Sequence, residues 1–271
     1  PLVWSHRVQQ APIFIAIAKI FAVNRIMLTE TYVLNKKVKL LQPAKGFRAS
    51  MDSVMLAAAV NAEPGQKVLD AGCGVGTVGL CLLHRLPELQ VTAIDLQSDL
   101  IATALENARG NSQENRIQFI ADDVTRLKGE YLNVFDHFVT NPPYFSPGRH
   151  LVSHEESKAL AMAGEGVLPS WMEAASRLLK PKGTLTLIYP AESLVAVLNA
   201  ASSKFGAFEL IPVWSRQGQP AKRIILRAIK NRKGSMTILP GVVLHNRDGE
   251  YTKEANAVFR DGAGLYDLFQ Y

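Results

Sequence analysis

Cysteine is scarce in this sequence, with only Cys73 and Cys81 among 271 residues. Two thiols eight positions apart build no disulfide framework and cannot hold a metal by themselves, so they read as reduced packing residues and no metal site is expected. Long apolar runs are missing too. The longest near the N-terminus, "IFIAIAKIFAV" at 13 to 23, is broken by Lys19 and is well short of the roughly 20 residues a bilayer span needs. The following "NRIMLTETY" offers no small-residue cleavage site of the kind that ends a secretory signal. The expectation is a cytoplasmic chain with no membrane segment. There is also no internal repeat and no linker long enough to divide the chain. Residues 31 to 271 therefore read as one domain behind an N-terminal extension, 1 to 30, within which Met27 is a candidate natural start.

Acidic residues are absent from two blocks. Residues 31 to 51 hold Lys36, Lys37, Lys39, Lys45 and Arg48 without an acid, and residues 210 to 247 hold Arg216, Lys222, Arg223, Arg227, Lys230, Arg232, Lys233 and Arg247 without an acid. These thirteen leave 17 Lys and Arg against 24 Asp and Glu elsewhere. The formal net charge of +6 thus conceals an acidic body carrying two basic blocks, which suits a polyanionic partner such as a nucleic acid.

What the sequence does contain is a regular alternation. "KVLDAG" (67 to 72), "VTAIDL" (91 to 96), "IQFIAD" (117 to 122), "FDHFVTN" (135 to 141) and "GTLTLIYP" (183 to 190) are short, β-branched and bounded by turn residues, as strands of a parallel sheet buried on both faces are. Helical segments separate them. In 168 to 179, Leu168, Trp171, Ala175, Leu178 and Leu179 share one face, and "KPKG" is expected to close that helix. After one more helix, "FELIPVWS" and "RIILRAIK" finish the chain with strands. The fold class is α/β, a Rossmann-like sheet of about seven strands.

The first strand runs into "DAGCGVGTVGL". Gly72, Gly74 and Gly76 allow a tight turn and close approach of a ligand, and the next helix offers free N–H groups. A nucleotide-like cofactor fits there, a dinucleotide included. Asp95 ends the next strand, where a carboxylate can accept both hydroxyls of a ribose or cap the following helix. Asp122 and Asp123 end the third strand, and a one-residue choice of register decides which points inward.

The spacing G-x-G-x-G after Asp70, followed by strand-end acids, resembles the seven-stranded S-adenosylmethionine-dependent methyltransferases. The resemblance implies a mostly parallel sheet with an antiparallel terminal strand and S-adenosyl-L-methionine as cofactor. It places the methionine part at Asp70 to Gly76, the ribose at Asp95 beside Leu96, and the adenine at Asp122 or Asp123 beside Val124, with Asn141 closing the site.

"NPPYF" follows the fourth strand, at the carboxyl end where ligands of open α/β sheets bind. Two prolines make a rigid bend whose carbonyls are free of ladder partners. In the Asn-Pro-Pro-Tyr methyltransferases that this stretch resembles, the groups matching Asn141 and Pro142 accept hydrogen bonds from a planar amine, Pro143 stiffens the turn, and Tyr144 stacks on the target ring. Those enzymes act on adenine N6 in DNA and RNA, on guanine N2, and on a glutamine amide. The flanks "LLQPAKGFRASMDSVMLAAAV" (40 to 60), "QPAKRIILRAIK" (219 to 230) and "LPGVVLHNRDGEYTKEA" (239 to 255) resemble the bacterial tRNA1(Val) adenine N6-methyltransferase family, which implies a tRNA partner, an anticodon-loop adenine as target, and Arg48 and Asp52 near cofactor and base. Arg216, Lys222 and Arg223, flanking "QGQP", are the expected phosphate contacts. Glutamine N5-methylation of a protein, another nucleic-acid amine, and a non-catalytic RNA-binding module are the competing readings.

Overall fold

The computed structural model describes residues 27–44, 50–143 and 167–269. Eleven strands run in chain order: β1 Leu28–Val33, β2 Val38–Pro43, β3 Lys67–Ala71, β4 Gln90–Asp95, β5 Ile117–Ala121, β6 Phe135–Thr140, β7 Leu179–Pro190, β8 Phe205–Arg216, β9 Arg223–Lys230, β10 Thr237–Ile238 and β11 Val242–His245. Between them lie α1 Met51–Ala58, α2 Thr77–Arg85, α3 Ser98–Gly110, α4 Val167–Leu178 and α5 Leu194–Ala201, followed after β11 by α6 Lys253–Asn256 and α7 Leu265–Leu268.

All seven strands read from the sequence are present and lie in one sheet, ordered β10-β8-β9-β7-β6-β3-β4-β5, with β11 also on β8. Neighbouring strands pair parallel except at β9, which runs antiparallel to both β7 and β8. The chain builds β3, β4 and β5 outward in one direction and then returns to lay β6 on the free side of β3. This reversal opens a crevice at the carboxyl ends of β3 and β6.

Each strand sends alternate side chains to opposite faces, and both faces are covered. On one side Val68, Val139, Ile188 and Ile225 join α1, α2 and the C-terminal helices; on the other Leu69, Phe138, Leu187 and Leu226 join α4 and α5. Burial on both faces is why these strands read as continuous apolar runs rather than alternating ones.

Two expectations are corrected. The helix does end before "KPKG", at Leu178, but the strand read from Gly183 begins already at Leu179, so Lys180 to Gly183 form its irregular start. There Lys182 adopts φ +64° and the register with β6 shifts between Phe135 and His137. The Lys180 ammonium bonds both oxygens of Asp136 at 2.8 and 2.9 Å, so an ion pair with β6 holds this irregular segment. The second concerns the strands absent from the reading. β10 and β11 are too short to signal, and the β1–β2 hairpin starts at Leu28, within the segment read as an extension.

The hairpin pairs with no other strand among the described residues. Asn107 of α3 and Asn111 just beyond its end take that place: Asn111 exchanges hydrogen bonds with the N–H and C=O of Lys39 (2.9 and 2.7 Å), and Asn107 does the same for Leu41 (2.6 and 2.9 Å). Asn107 is buried and its Nδ2 also donates to the Val75 carbonyl at 3.0 Å, within the glycine turn after β3. One amide thus ties the hairpin to that turn. Asn107→Ala leaves three backbone groups without partners, so it should cost roughly 2 to 3 kcal/mol. Chemical denaturation measures the loss. Hydrogen exchange should show it concentrated at Lys39 to Leu41 and at the glycine turn, and a loss spread evenly over the sheet would contradict this role.

Candidate active site

The glycine turn leaves β3 at the crevice. Gly72, Gly74 and Gly76 adopt φ of +71°, +55° and +85°, values an L side chain rarely takes. Space forbids side chains as well: a Cβ at Gly72 would lie 2.9 Å from the Trp171 ring, and one at Gly76 would lie 3.3 Å from Phe119. Beneath the turn, Asp70 is buried and its Oδ2 accepts the Gly79 N–H at 3.1 Å. Burial pushes this carboxyl up to about 7, opposed by the Gly79 N–H and reinforced by the nearby Asp95. Gly79 keeps the helix close, since a Cβ there would meet Ile117 at 2.7 Å.

Asp95 serves the turn and the next helix together. Its Oδ2 accepts the Gly74 N–H and its Oδ1 the Gln97 N–H, each at 2.9 Å. Leu96 beside it is 74% exposed, an apolar side chain held open at the mouth of the crevice. At the end of β5 the Asp122 N–H donates to the Asp95 carbonyl (3.1 Å), bringing the third strand end alongside. Asp123 Oδ1 accepts from Thr125 N–H and Oγ1 at 2.9 and 2.7 Å, while Asp122 is exposed and accepts only the Asp123 N–H. The Val124 side chain goes into the core.

On the other side of the crevice the Thr140 hydroxyl donates to the Ala71 carbonyl at 2.9 Å. This bond joins the last residues of β6 and β3, so the next residue on each, Asn141 and Gly72, emerge side by side. Asn141 Oδ1 is buried and accepts no hydrogen bond from the described residues. The same is true of Thr77 Oγ1 at the start of α2. An unpartnered buried acceptor costs about 1 to 3 kcal/mol, which a donor on a bound molecule would recover. Pro142 is buried and Pro143 exposed. Tyr144 and Arg48 lie outside the described residues.

The structure therefore brings together Asp70, Gly72, Gly74, Gly76, Asp95, Leu96, Asp122, Asp123 and Asn141. Trp171, Phe119, Asn107 and Thr77 shape the same crevice and escaped the sequence reading. Trp171 was legible only as a core position of a helix, and the others carry no local signal. The charged residues divide differently. Asp52 does not cap its helix; its Oδ2 accepts from Arg223 Nε at 2.8 Å. Arg227 pairs with Glu209 at 2.5 Å, and Lys230 is buried against Asn133 Oδ1 and the Leu179 carbonyl. The block from 210 to 247 is thus less of a surface than its composition suggests, while Arg216, Lys222, Arg232, Lys233 and Arg247 stay exposed. No described helix is long and apolar enough to cross a membrane, and the described residues hold no group of three or more His, Cys, Asp and Glu that could hold a metal.

Sheet order, glycine turn and strand-end carboxylates define a class I methyltransferase. The chain belongs to the family described as Methyltransferase small domain, which it matches over residues 48–211. Among its curated relatives is the tRNA1(Val) (adenine(37)-N6)-methyltransferase of Actinobacillus pleuropneumoniae serotype 5b (strain L20), 27% identical over 208 residues that span 76% of this chain and 86% of the relative. The Vibrio campbellii (strain ATCC BAA-1116) protein of that name is 28% identical over 206 residues, 75% of this chain and 84% of the relative. The solved structure of a predicted O-methyltransferase, protein Atu636 from Agrobacterium tumefaciens, superposes with a TM-score of 0.67 at 24% identity over 80% of this chain and 98% of its own. The tRNA (m1A58) methyltransferase TrmI from Aquifex aeolicus gives 0.52 at 13% identity over 70% and 74%. These two likenesses establish the fold.

Asp70 makes stability depend on pH. Between about pH 4 and 7 the unfolded chain ionises this carboxyl while the folded chain keeps its proton, so its contribution falls as pH rises, and the full penalty is present above pH 7. Asp70→Asn still accepts from Gly79 and cannot ionise. At pH 8 it should be more stable than wild type by up to about 4 kcal/mol, with the gap closing toward pH 4. Melting curves across that range test this, and a gap independent of pH would contradict it.

Proposed function

We propose that this protein transfers a methyl group to the exocyclic N6 of an adenine in RNA, with tRNA as the RNA, working in the cytoplasm. The observation that carries the reading is Asn141 Oδ1, a buried acceptor without a partner among the described residues, at the switch in strand order and immediately before Pro142 and Pro143. The names of the curated relatives, which act on adenine 37 of tRNA1(Val), support adenine in tRNA as the target.

S-adenosylmethionine is the cofactor, and when bound it supplies an electrophilic methyl group on a positively charged sulfur. The residues present fit it. The Gly72 to Gly76 turn admits close backbone approach, Asp95 has its oxygens at the strand end where ribose hydroxyls are accepted, and Leu96 offers an apolar face to a planar ring. Asp123, fixed by Thr125, is the better positioned of the two β5 acids to take the cofactor's adenine amino group, and Val124 contributes backbone alone. At the target, Asn141 Oδ1 and the Pro142 carbonyl accept the two N–H bonds of the amine. Those hydrogen bonds turn its nitrogen toward tetrahedral geometry, localise the lone pair and stabilise the positive charge that develops. The cationic product loses a proton without a strong base. Tyr144 supplies the stacking face for the ring.

Purified protein, tRNA and S-adenosylmethionine should yield N6-methyladenosine, detected by mass spectrometry of tRNA nucleosides. Asn141→Ala should reduce the rate at least about a hundredfold, with cofactor affinity and unfolding midpoint close to wild type. Early melting with loss of cofactor binding would instead make Asn141 a structural turn residue, and transfer to a glutamine amide but not to RNA would overturn the substrate. Asp95→Ala should weaken cofactor binding more than loss of one hydrogen bond would, because the Gly74 N–H loses its acceptor as well.

Arg216 and Lys222 are the exposed cations beside the β8–β9 turn. Reversing both charges should weaken tRNA binding and flatten its dependence on salt, since each phosphate contact releases counterions. An unchanged slope in filter-binding titrations would remove the RNA from this face.

A further inference from the structure

A second cavity opens at the carboxyl edge of the sheet, beside the site and distinct from it. Its volume is about 250 Å³, and its lining includes Met51, Asp52, Met55, Ile188, Ser215 and Arg223. Strand register gives its position. Thr140 pairs with Leu187, so the next level up sets Asn141 opposite Ile188 in the floor of the cavity. Arg223 stands on β9 and Ser215 on β8, two and three strands from β6, or roughly 10 and 14 Å at the usual strand spacing. The base of a neighbouring nucleotide spans that separation when it is unstacked and splayed away from the one held at Asn141, as single-stranded loops permit.

The chemistry of the lining is segregated. Met55 and Ile188 are buried and form an apolar floor. Over it stands the Asp52 carboxylate, with Oδ2 on Arg223 Nε (2.8 Å) and Oδ1 without a hydrogen-bond partner among the described residues. The rim is braced. Tyr251 OH donates to Met51 Sδ (3.2 Å), Tyr251 stacks on His245 with ring centroids 5.0 Å apart, and His245 Nδ1 lies 3.2 Å from the Ser215 carbonyl. Lys222 belongs to the lining at its exposed side, and the exposed Arg216 ends β8 nearby. These two cations attract a phosphate at the solvent side, while the floor is apolar and carries the Asp52 carboxylate, so a nucleotide entering this cavity puts its base in and leaves its phosphate at the rim. The carboxylate also selects among bases. Cytosine, guanine and adenine present an exocyclic amino group to it, whereas uracil offers its single N–H between two carbonyls that the charge repels.

We propose that this cavity seats the base of a nucleotide flanking the methylated adenine, and that it prefers a base bearing an exocyclic amino group. The proposal rests on the RNA reading above, and two measurements separate the two. The first follows the Met51 and Met55 methyl resonances by NMR during titration with cytidine and uridine 5′-monophosphates, which requires no methyl transfer. Cytidine monophosphate should move both methyls and uridine monophosphate should bind at least about fivefold more weakly. Asp52→Asn should equalise the two nucleotides while leaving S-adenosylmethionine affinity unchanged. Equal binding to wild type, or no shift at either methyl, overturns the subsite whatever the substrate is. The second compares RNA hairpins that share the loop adenine and differ only in the neighbouring bases. Uracil at one flanking position should lower kcat/KM about tenfold relative to cytosine, and Asp52→Asn should abolish that discrimination. Methylation of every hairpin at one rate overturns the subsite and leaves the RNA reading standing. Selective nucleotide binding without methylation of any RNA overturns the RNA reading, and with it the flanking assignment.

Discussion

One hydrogen bond sets the relation between the two halves of this site. The Thr140 hydroxyl on the Ala71 carbonyl locks together the ends of the two strands that flank the reversal in strand order. From one end departs the glycine turn and from the other the Asn-Pro-Pro bend. Because β3 and β6 are also paired residue by residue from Val68 to Ala71, neither segment can slide relative to the other. The cofactor pocket and target acceptor proposed for these two segments, if built on separate loops, would have to be positioned by loop ordering. Here both inherit the rigidity of the central sheet, and electrostatic stabilisation of a developing charge requires that preorganisation.

The polar groups near the turn show how the stability of such a site is distributed. Asp70 is held under the turn with one N–H partner and a carboxyl pushed up to about 7, a cost carried by the surrounding apolar packing. Asp95 has both oxygens engaged by backbone N–H groups. Asn107 reverses that economy: three well-made hydrogen bonds from one buried side chain substitute for a neighbouring strand and attach the β1–β2 hairpin to the turn. In chain order the next described helix after the hairpin is α1, which carries Met51 and Asp52.

Charge follows the same division between chain position and space. Asp52 stands one residue beyond the first acid-free block and Glu209 one residue before the second, and each pairs with an arginine of the second block. The cations left at the surface are those beside turns, where a phosphate backbone can reach them.

Seven strands, the glycine turn and the strand-end acids were legible in the sequence because each has a local cause. Burial on both faces makes a strand uniformly apolar, positive φ demands glycine, and a ligand at a carboxyl edge demands polar residues at strand ends. The Asn-Pro-Pro bend was legible for the same reason, since proline acts on its own backbone. What the sequence could not determine was every feature whose partner is remote in the chain. Asn107 reads as an ordinary helix residue until it meets Leu41 and Val75, and Trp171 as a core position until it meets Gly72. Arg223 reads as a phosphate ligand until Asp52, 171 residues away, reaches it. The early start of β7, at Leu179 rather than Gly183, was hidden likewise, because Asp136 on a neighbouring strand holds Lys180 in extended backbone. Local backbone chemistry determined the elements and marked the crevice. Only the packing of distant segments decided which polar atoms were consumed by the fold and which, like Asn141 Oδ1, kept no partner among the described residues.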